Sequence, residues 1–199
     1  MGLEVGTFII SFFTFILIFC YVSIKKVWFK KYIWKFFRKR NISVSEFENF
    51  IFSLSSALLK FSKKKVGALI VIEKFQNLQD YINTGYKVQA NFFSDFLYNI
   101  FQNKESAMHD GGVIIRGLEI QSASCYFPIY SHRNIPHEYG SRHRAALGIT
   151  TETDAIALLV SETTGKILFS EGGKFQELES ENVKLLAKSL SQVLSYYIE

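Results

Sequence analysis

An acid, an imidazole and two glycines stand together at residues 109–112, immediately before an apolar run. The run Val113–Ile115 has the composition of a buried strand, so His109 and Asp110 would lie at its mouth. Gly111 and Gly112 carry no side chains, so a ligand can approach the backbone closely there. An acid and an imidazole in such a place suit acid–base or metal chemistry. If the four residues stood alone, an ordinary Asp-Gly turn would be the simpler interpretation.

A second polar group, Ser141-Arg142-His143-Arg144, opens the apolar run Ala145–Ile149. The spacing predicts a helix that starts here with Ser141 as its N-cap. Exposed amides and two arginines at a helix start form a site suited to phosphates. A solvated basic turn explains the same residues equally well when they are taken alone.

A third polar group, Ser161-Glu162, follows the apolar run Ala155–Val160. Glu162 is a candidate metal carboxylate, although a surface turn is the simpler interpretation of this pair alone. Taken together, the three groups supply an acid, a phosphate clamp and a metal carboxylate. These are the parts of metal-assisted phosphoryl or nucleotidyl transfer, and the residue types alone lead no further than that reaction class.

Several familiar catalytic motifs are missing from the sequence. It contains no Gly-x4-Gly-Lys-Ser/Thr loop, no Gly-x-Gly-x-x-Gly, no deaminase zinc motif and no Gly-x-Ser-x-Gly elbow. The two cysteines exclude a disulfide scaffold and an all-cysteine zinc cluster. With 48% hydrophobic residues, the chain has enough apolar surface to fold, which excludes a disordered protein.

The elements that must position these groups are predicted from periodicity and turn chemistry. Ser43-Val44-Ser45-Glu46 is a capping box that begins an amphipathic helix. Strands joined partly by hairpins and interspersed with helices predict an α/β fold with a mixed β-sheet covered by helices. The further predicted strands are Val66–Ile72, Gly112–Arg116, Glu119–Cys125, Ala155–Ser161 and Lys166–Ser170, and the further predicted helices are Asn91–Phe101 and Ser180–Tyr197.

The first 24 residues predict a membrane anchor. Val5–Ile24 is a run of twenty residues without a charge, which is long enough to cross a hydrocarbon core of about 30 Å. A cleaved signal peptide fits poorly, because no Lys or Arg precedes the run and no small-x-small cleavage site follows it.

A basic, aromatic segment follows and accounts for the net charge of +5. Residues 25–40 hold eight of the 23 Lys and Arg residues and no acid, and residues 1–24 hold only Glu4 of the 18 acidic residues, which leaves 15 basic and 17 acidic residues in 41–199. Aromatic residues recur every four positions from Trp28 to Phe36, which suits the lipid headgroup region. We therefore expect a transmembrane helix in 1–24, a lipid-contacting juxtamembrane segment in 25–42 and a domain in 43–199 on the cytoplasmic side of the cell membrane. The alternative for 25–40 is a solvated segment that serves only as a topological stop signal after the membrane helix. Because the segment adjoins that helix, we expect no nucleic-acid partner.

Five segments in order resemble the diadenylate cyclase (DAC, or DisA-N) domain family. They are GALIVIEK at 67–74, HDGGVIIRG at 109–117, SCYFPI at 124–129, GSRHRAALGIT at 140–150 and DAIALLVSETTG at 154–165. The family has two signatures, an Asp-Gly-Ala motif, which Asp110-Gly111-Gly112 matches in two of three residues, and an Arg-His-Arg motif, and both positions are in register. The resemblance covers about residues 60–175. With a single predicted membrane helix before the domain, the chain resembles the short, single-pass membrane cyclases of this family.

The resemblance implies condensation of two ATP molecules into cyclic di-AMP, with release of two pyrophosphates, between two facing domains of a homodimer. It also implies a divalent metal, Mn²⁺ or Mg²⁺. Asp110 would activate or orient the 3′-hydroxyl near that metal, and His109, Asp110 and Glu162 would be metal ligands. Gly111 would pass close to the nucleotide.

The remaining roles implied by the resemblance concern the nucleotide. Tyr126 would stack on adenine, Ile129 would pack against the base, and Ser161 would contact the nucleotide. The triphosphate would be held by the set Ser141, Arg142, His143 and Arg144.

The sequence departs from the family pattern at two positions. Gly112 stands where the family has alanine, and Thr163 stands where it commonly has a second glutamate. The second departure leaves Glu162 as the expected metal ligand. Two other functions remain open: a catalytically silent membrane sensor that binds ATP or cyclic di-AMP, and a membrane scaffold that uses the basic segment.

Overall fold

The computed structural model describes residues 42–131 and 136–197, which lie in the second of two compact units, Arg40–Glu199. The predicted anchor and nearly all of the basic segment lie outside the described residues. Within 42–131 and 136–197, no helix combines the length and apolarity that crossing a membrane requires. The elements in chain order are α1 Val44–Lys64, β1 Ala68–Glu73, α2 Gln79–Ile82, β2 Tyr86–Asn91, α3 Ser94–Gln102, β3 Gly112–Arg116, β4 Glu119–Cys125, α4 Ser141–Glu152, β5 Ile156–Val160, β6 Ile167–Glu171, β7 Lys174–Glu177, α5 Val183–Val193 and the 3₁₀ turn Ser195–Tyr197.

The strands form one seven-stranded mixed sheet in the order β2-β4-β3-β1-β5-β6-β7. Only β1 and β3 pair in parallel among these strands, and the other neighbours are antiparallel. Every residue of β1 is buried, and its side chains alternate between two apolar clusters on opposite faces of the sheet. The predicted mixed sheet covered by helices is therefore confirmed.

Helix α1 covers one face of the sheet together with α3 and α5. Its capping box is formed as predicted, since Ser43 Oγ accepts from the Glu46 amide and the Ser43 amide donates to Glu46 Oε2. The helix ends where Lys65 adopts φ 50°, a left-handed conformation that closes the last turn. Its apolar stripe packs against Leu186 and Leu190 of α5 in the larger cluster. Helices α2 and α4 contribute to the cluster on the opposite face.

Strand direction brings three loops to one edge of the sheet. Because β1 and β3 are parallel, their amino ends lie at the same edge. Strand β5 runs the other way, with Val160 opposite Ala68, so its carboxyl end reaches that edge too. The segments before β1, before β3 and after β5 therefore meet, and these segments carry His109, Asp110 and Glu162.

Candidate active site

The backbone at the mouth of β3 passes close to the end of β4. Gly111 has φ 72°, and a Cβ there would lie 2.5 Å from the carbonyl oxygen of Cys125, so only glycine fits. Asp110 beside it is exposed and makes no hydrogen bond or ion pair with the described residues. This carboxylate is therefore available to a ligand.

His109 is held by both of its ring nitrogens. Nδ1 lies 2.7 Å from the carbonyl oxygen of Phe101 and Nε2 lies 3.2 Å from Arg142 Nη2. A carbonyl can only accept, so Nδ1 carries the proton and Nε2 accepts from the arginine. His109 thus fixes one edge of the Arg142 guanidinium.

Arg142 reaches from the start of α4 to the loop before β3. Its Nη2 donates to the carbonyl oxygen of His109 at 2.8 Å, and Nη1 lies 3.9 Å from Glu162 Oε2. Gly67 makes room for the guanidinium, because a Cβ there would lie 3.1 Å from Nη1. Burial lowers the pKa of Arg142, while Glu162 and Asp110 oppose that effect. Nε is buried without a partner among the described residues, so the group keeps unused donor capacity.

The turn after β5 supplies a carboxylate, Glu162, that is paired with a lysine. Glu162 Oε1 lies 2.6 Å from Lys104 Nζ, and this hydrogen bond holds the pKa of the carboxyl below its usual value. Ser161 is buried, and its hydroxyl bonds with Thr163 Oγ1 at 3.1 Å and accepts from the Thr164 amide. Thr163, which departs from the family pattern, therefore helps to close the turn that presents Glu162.

The start of α4 corrects one sequence prediction. Gly140 is the N-cap, with no side-chain capping bond, and Ser141 is the first helical residue. The prediction that Ser141 caps the helix is wrong, because the chain turns one residue earlier. Ser141 and Arg144 are exposed on the first turn, beside amides that have no side-chain cap. Such a terminus favours an anion.

His143, on the same turn, lies among aromatic rings. Its ring stacks on Tyr139 with a centroid distance of 4.9 Å and meets the ring of Phe175 at 5.9 Å, close to perpendicular. Burial lowers the pKa of His143, and the nearby Glu138 carboxylate opposes this. The imidazole is therefore neutral at neutral pH.

Two exposed apolar side chains lie on an anchored segment after β4. Tyr126 is 65% exposed and Ile129 is 53% exposed. The backbone between them is fixed, because the Tyr126 amide donates to Thr84 Oγ1 and the Tyr130 amide donates to the Arg144 carbonyl. An exposed ring on a rigid segment is suited to stacking on a flat ligand.

The space beside Gly112, the other departure from the family pattern, is filled by neighbouring residues. A Cβ at this position would lie 2.8 Å from the ring of Phe127 and 2.9 Å from the carbonyl oxygen of Leu69. The space that a methyl group would need is occupied by a buried aromatic ring.

The metal prediction fits these residues only in part. Within 42–131 and 136–197, no three His, Cys, Asp or Glu side chains form a group able to hold an ion. His109 and Glu162 are engaged with Arg142 and Lys104, so only Asp110 offers a free carboxylate. The predicted ligands do not form a resident metal site in this arrangement.

The structure brings some predicted residues together and leaves others apart. His109, Arg142 and Glu162 are in contact, with Asp110 beside them. Within the described residues, no hydrogen bond, ion pair or ring contact joins the side chains of His143 and Arg144 to this cluster, although they share its helix turn. Four neighbours of site residues escaped sequence analysis because no local pattern marks them: Lys104, Tyr139, Phe175 and Thr84.

The family model "DisA bacterial checkpoint controller nucleotide-binding" (DAC) matches residues 55–175. A diadenylate cyclase from Mycoplasma pneumoniae is 46% identical over 138 residues, which are 69% of this chain and 68% of the relative. A diadenylate cyclase from Listeria monocytogenes is 40% identical over 150 residues, 74% of this chain but only 55% of the relative.

Solved structures show the same fold. The crystal structure of a double mutant of DacA from Staphylococcus aureus superposes with a TM-score of 0.69 at 37% identity, covering 75% of this chain and 97% of that one. A protein from Bacillus cereus described as a hypothetical membrane spanning protein gives a TM-score of 0.60 at 34% identity, covering 63% of this chain and 61% of that one.

Proposed function

The chain belongs to the DAC family, and from that membership we infer that it is a diadenylate cyclase, an enzyme that makes cyclic di-AMP from ATP. The observation that carries this function is the position of Asp110, an exposed carboxylate without a hydrogen bond or ion pair among the described residues, near the Arg142 guanidinium at the start of α4. Nucleotidyl transfer needs such a base and cationic positioning, and it needs no covalent nucleophile.

We propose that Asp110 orients and activates the 3′-hydroxyl of ATP. Its carboxylate is exposed, and the left-handed backbone of Gly111 next to it leaves the approach unobstructed. The 3′-oxygen attacks the α-phosphorus of a second ATP, the bond to the β-phosphate oxygen breaks, and pyrophosphate leaves. Asp110 accepts or directs the hydroxyl proton.

The triphosphate is held at the start of α4. Ser141 and Arg144 are exposed there beside free amides, and Arg142 is fixed by His109 and Glu162. His143 contributes a neutral imidazole. Ser161 helps to position Glu162, since its buried hydroxyl closes the turn that carries this residue.

The adenine lies on the segment after β4 in this proposal. Tyr126 supplies the stacking surface and Ile129 packs against the base, and both side chains are exposed on an anchored backbone. Stacking on an aromatic ring is worth about 1–3 kcal/mol per base.

A divalent cation, Mn²⁺ or Mg²⁺, takes part as the metal complex of the substrate ATP. Asp110 would be the protein ligand of this cation, because its carboxylate has no partner among the described residues, and the cation would offset the negative charge of the phosphates. His109 and Glu162 would join that shell only by releasing Arg142 and Lys104.

The active species is a homodimer in which two domains face each other. Each domain presents one nucleotide site, and cyclisation requires two bonds between two ATP molecules. The exposure of the site residues Asp110, Tyr126 and Ser141 supports this geometry, because a facing protomer can reach them.

The anchor is the last part of the proposal. The apolar run Val5–Ile24 and the basic segment after it support a single-pass helix in the cell membrane, with lipid contacts by 25–40 and the domain in the cytoplasm. The likeness to the B. cereus protein described as membrane spanning supports this assignment.

A catalytically silent sensor of ATP or cyclic di-AMP is the alternative, and the retention of an unpaired Asp110 argues against it. The deciding experiment incubates the purified full-length chain with ATP and either Mn²⁺ or Mg²⁺ and measures cyclic di-AMP by mass spectrometry and pyrophosphate enzymatically. We expect one cyclic di-AMP for every two pyrophosphates. Nucleotide binding without either product would establish the sensor instead.

A further inference from the structure

Three aromatic rings meet at the first turn of α4. The His143 imidazole stacks on Tyr139 with an interplanar angle of 16°, and Phe175 meets it at 79°. Tyr139 and Phe175 also contact each other, with ring centroids 5.4 Å apart at 87°. Stacked and edge-to-face pairs at these distances are favourable beyond the area that they bury.

These ring contacts are what orients His143. Neither of its ring nitrogens forms a hydrogen bond within the described part of the chain, and neither is among the buried polar atoms without a partner. His109 is the opposite case, since both of its nitrogens are bonded. Packing therefore fixes the plane of the His143 ring while leaving its nitrogens accessible.

The two rings come from separate parts of the fold. Tyr139 immediately precedes the N-cap, and its amide donates to the Pro136 carbonyl at 3.0 Å. Phe175 lies on β7, the edge strand of the sheet. The β6–β7 turn sits directly on α4, because a Cβ on Gly173 would collide with Thr151. That contact is at the last turn of α4, and Phe175 reaches the helix start through its ring contacts with Tyr139 and His143.

We propose that Tyr139 and Phe175 are positioning residues that hold the His143 ring so that one of its nitrogens donates to a phosphate oxygen of ATP during cyclisation. This proposal rests on the proposed function, because it needs a triphosphate at the start of α4. A neutral imidazole has a single N–H donor, so its contribution depends on orientation more than that of a cation does. Burial keeps His143 in that neutral form.

The test compares the full-length chain with three single variants. Phe175→Leu removes the ring and Phe175→Tyr keeps it. Phe169→Leu is the matched control, because Phe169 is a half-buried phenylalanine on the neighbouring strand that packs on the opposite face of the sheet.

We expect Phe175→Leu to lower kcat by about tenfold with little change in the KM for ATP, since a misplaced donor weakens the transition state more than binding. Phe175→Tyr should restore kcat, and Phe169→Leu should leave it near the wild-type value. An equal loss of kcat in Phe175→Leu and Phe169→Leu would overturn the proposal, because it would mean that general destabilisation is the cause.

A double-mutant cycle identifies the partner. If Phe175 acts through His143, Phe175→Leu should cause no further loss of kcat in the His143→Ala background. Independent losses that multiply would overturn the proposal.

Side-chain NMR of His143 separates this proposal from the function on which it rests. We expect addition of ATP without metal to shift the His143 ring resonances in the wild type and in Phe169→Leu, and to shift them much less in Phe175→Leu. A chain that shows this pattern yet makes no cyclic di-AMP would refute the proposed function and retain the positioning role. The absence of any shift in the wild type would overturn the positioning role.

Discussion

At the scale of single residues, the site contains charges that are held by a partner and a carboxylate that is not. Arg142 is bonded to the His109 carbonyl, and Glu162 is bonded to Lys104. Asp110 has no such partner among the described residues. Restrained charges are preorganised to hold a substrate, whereas an unpaired carboxylate remains free to take part in proton transfer.

The first prediction concerns that carboxylate. Asp110→Asn keeps the shape and loses the charge, so we expect turnover to fall by about a hundredfold or more. ATP should bind at least as tightly, because a negative charge beside the phosphates is gone. Product formation and calorimetric binding of ATP measure the two effects, with Asp80→Asn on the exposed surface of α2 as the control. Comparable turnover in both variants would contradict the role of Asp110.

The second prediction concerns the adenine. Tyr126→Ala should raise the KM for ATP by about tenfold, since one stacked base is lost. Tyr126→Phe should have a much smaller effect, because it retains the ring that is 65% exposed. Steady-state kinetics of both variants test this, and equal effects would show that the ring does not bind the base.

The third prediction concerns pH and stability. Burial lowers the pKa of folded His143 below the value of about 6.5 that it has in the unfolded chain. Above pH 6.5 both states are neutral, and below it the unfolded state takes up the proton first. The stabilisation is therefore complete above about pH 6.5 and is lost as the pH falls through the folded pKa.

This pH dependence of the folding stability is tested by urea denaturation of the wild type and of His143→Gln at pH values between about 7.5 and 5. The wild type should lose more stability on acidification than the variant does. Parallel curves for the two proteins would mean that His143 is not buried as a neutral ring.

At the scale of elements, the sequence predicted best where one local signal is strong. Strands Gly112–Arg116 and Glu119–Cys125 have the predicted bounds, because apolar runs flank a Gly-Leu turn. The capping box at Ser43 also formed as predicted. These signals lie within a few residues of each other and need no tertiary partner.

The strands that sequence analysis missed are defined by pairing with another strand. Strand β2 has mostly exposed residues and no apolar alternation, and its pairing with β4 defines it. The predicted helix Asn91–Phe101 instead begins at Ser94, because β2 extends to Asn91. Strand β7 has only four residues and pairs with β6.

The same reason limits prediction of the site. The Arg-His-Arg and Asp-Gly motifs predicted His109, Asp110 and Arg142 as site residues, and the structure brings these three together. The contact of His143 with Phe175 joins residues 32 positions apart in the chain, and no local spacing indicates it. The choice of Gly140 over Ser141 as N-cap depends on one backbone angle, which residue preferences do not determine.

The fourth prediction concerns the contact between α4 and the segment that carries Tyr126. Gly148 packs directly against the Pro128 carbonyl, and a Cβ there would collide with that oxygen. Gly148→Ala should destabilise the fold by about 1–3 kcal/mol and raise the KM for ATP, because the segment must move.

Urea denaturation and steady-state kinetics measure the two effects of Gly148→Ala. Ser56→Ala on the exposed surface of α1 is the control, since it changes neither α4 nor the segment after β4. Unchanged KM together with lost stability would show that the segment does not contribute to the adenine site.

At the scale of the whole molecule, the fifth prediction concerns the pairing of domains. If two ATP molecules are joined between facing protomers, the specific activity should fall on dilution. A chain starting at residue 42 should be more sensitive to dilution than the full chain in vesicles, where confinement raises the effective concentration. Activity across a wide concentration range, with gel filtration in parallel, tests this. A monomer with constant specific activity would exclude the facing arrangement.

The order of the strands also bears on how the chain folds as it is synthesised. The central strand β1 is made early, but its two neighbours are β3 and β5, and the register partner of Ala68 is Val160. Contacts that span so much of the chain form slowly, because a long loop must close first. Until synthesis has passed Val160, one side of this buried strand, which is apolar except for Glu73, has no native partner, and an unpaired apolar edge can pair with other chains. The nascent chain is therefore expected to depend on chaperones until Val160 has been synthesised.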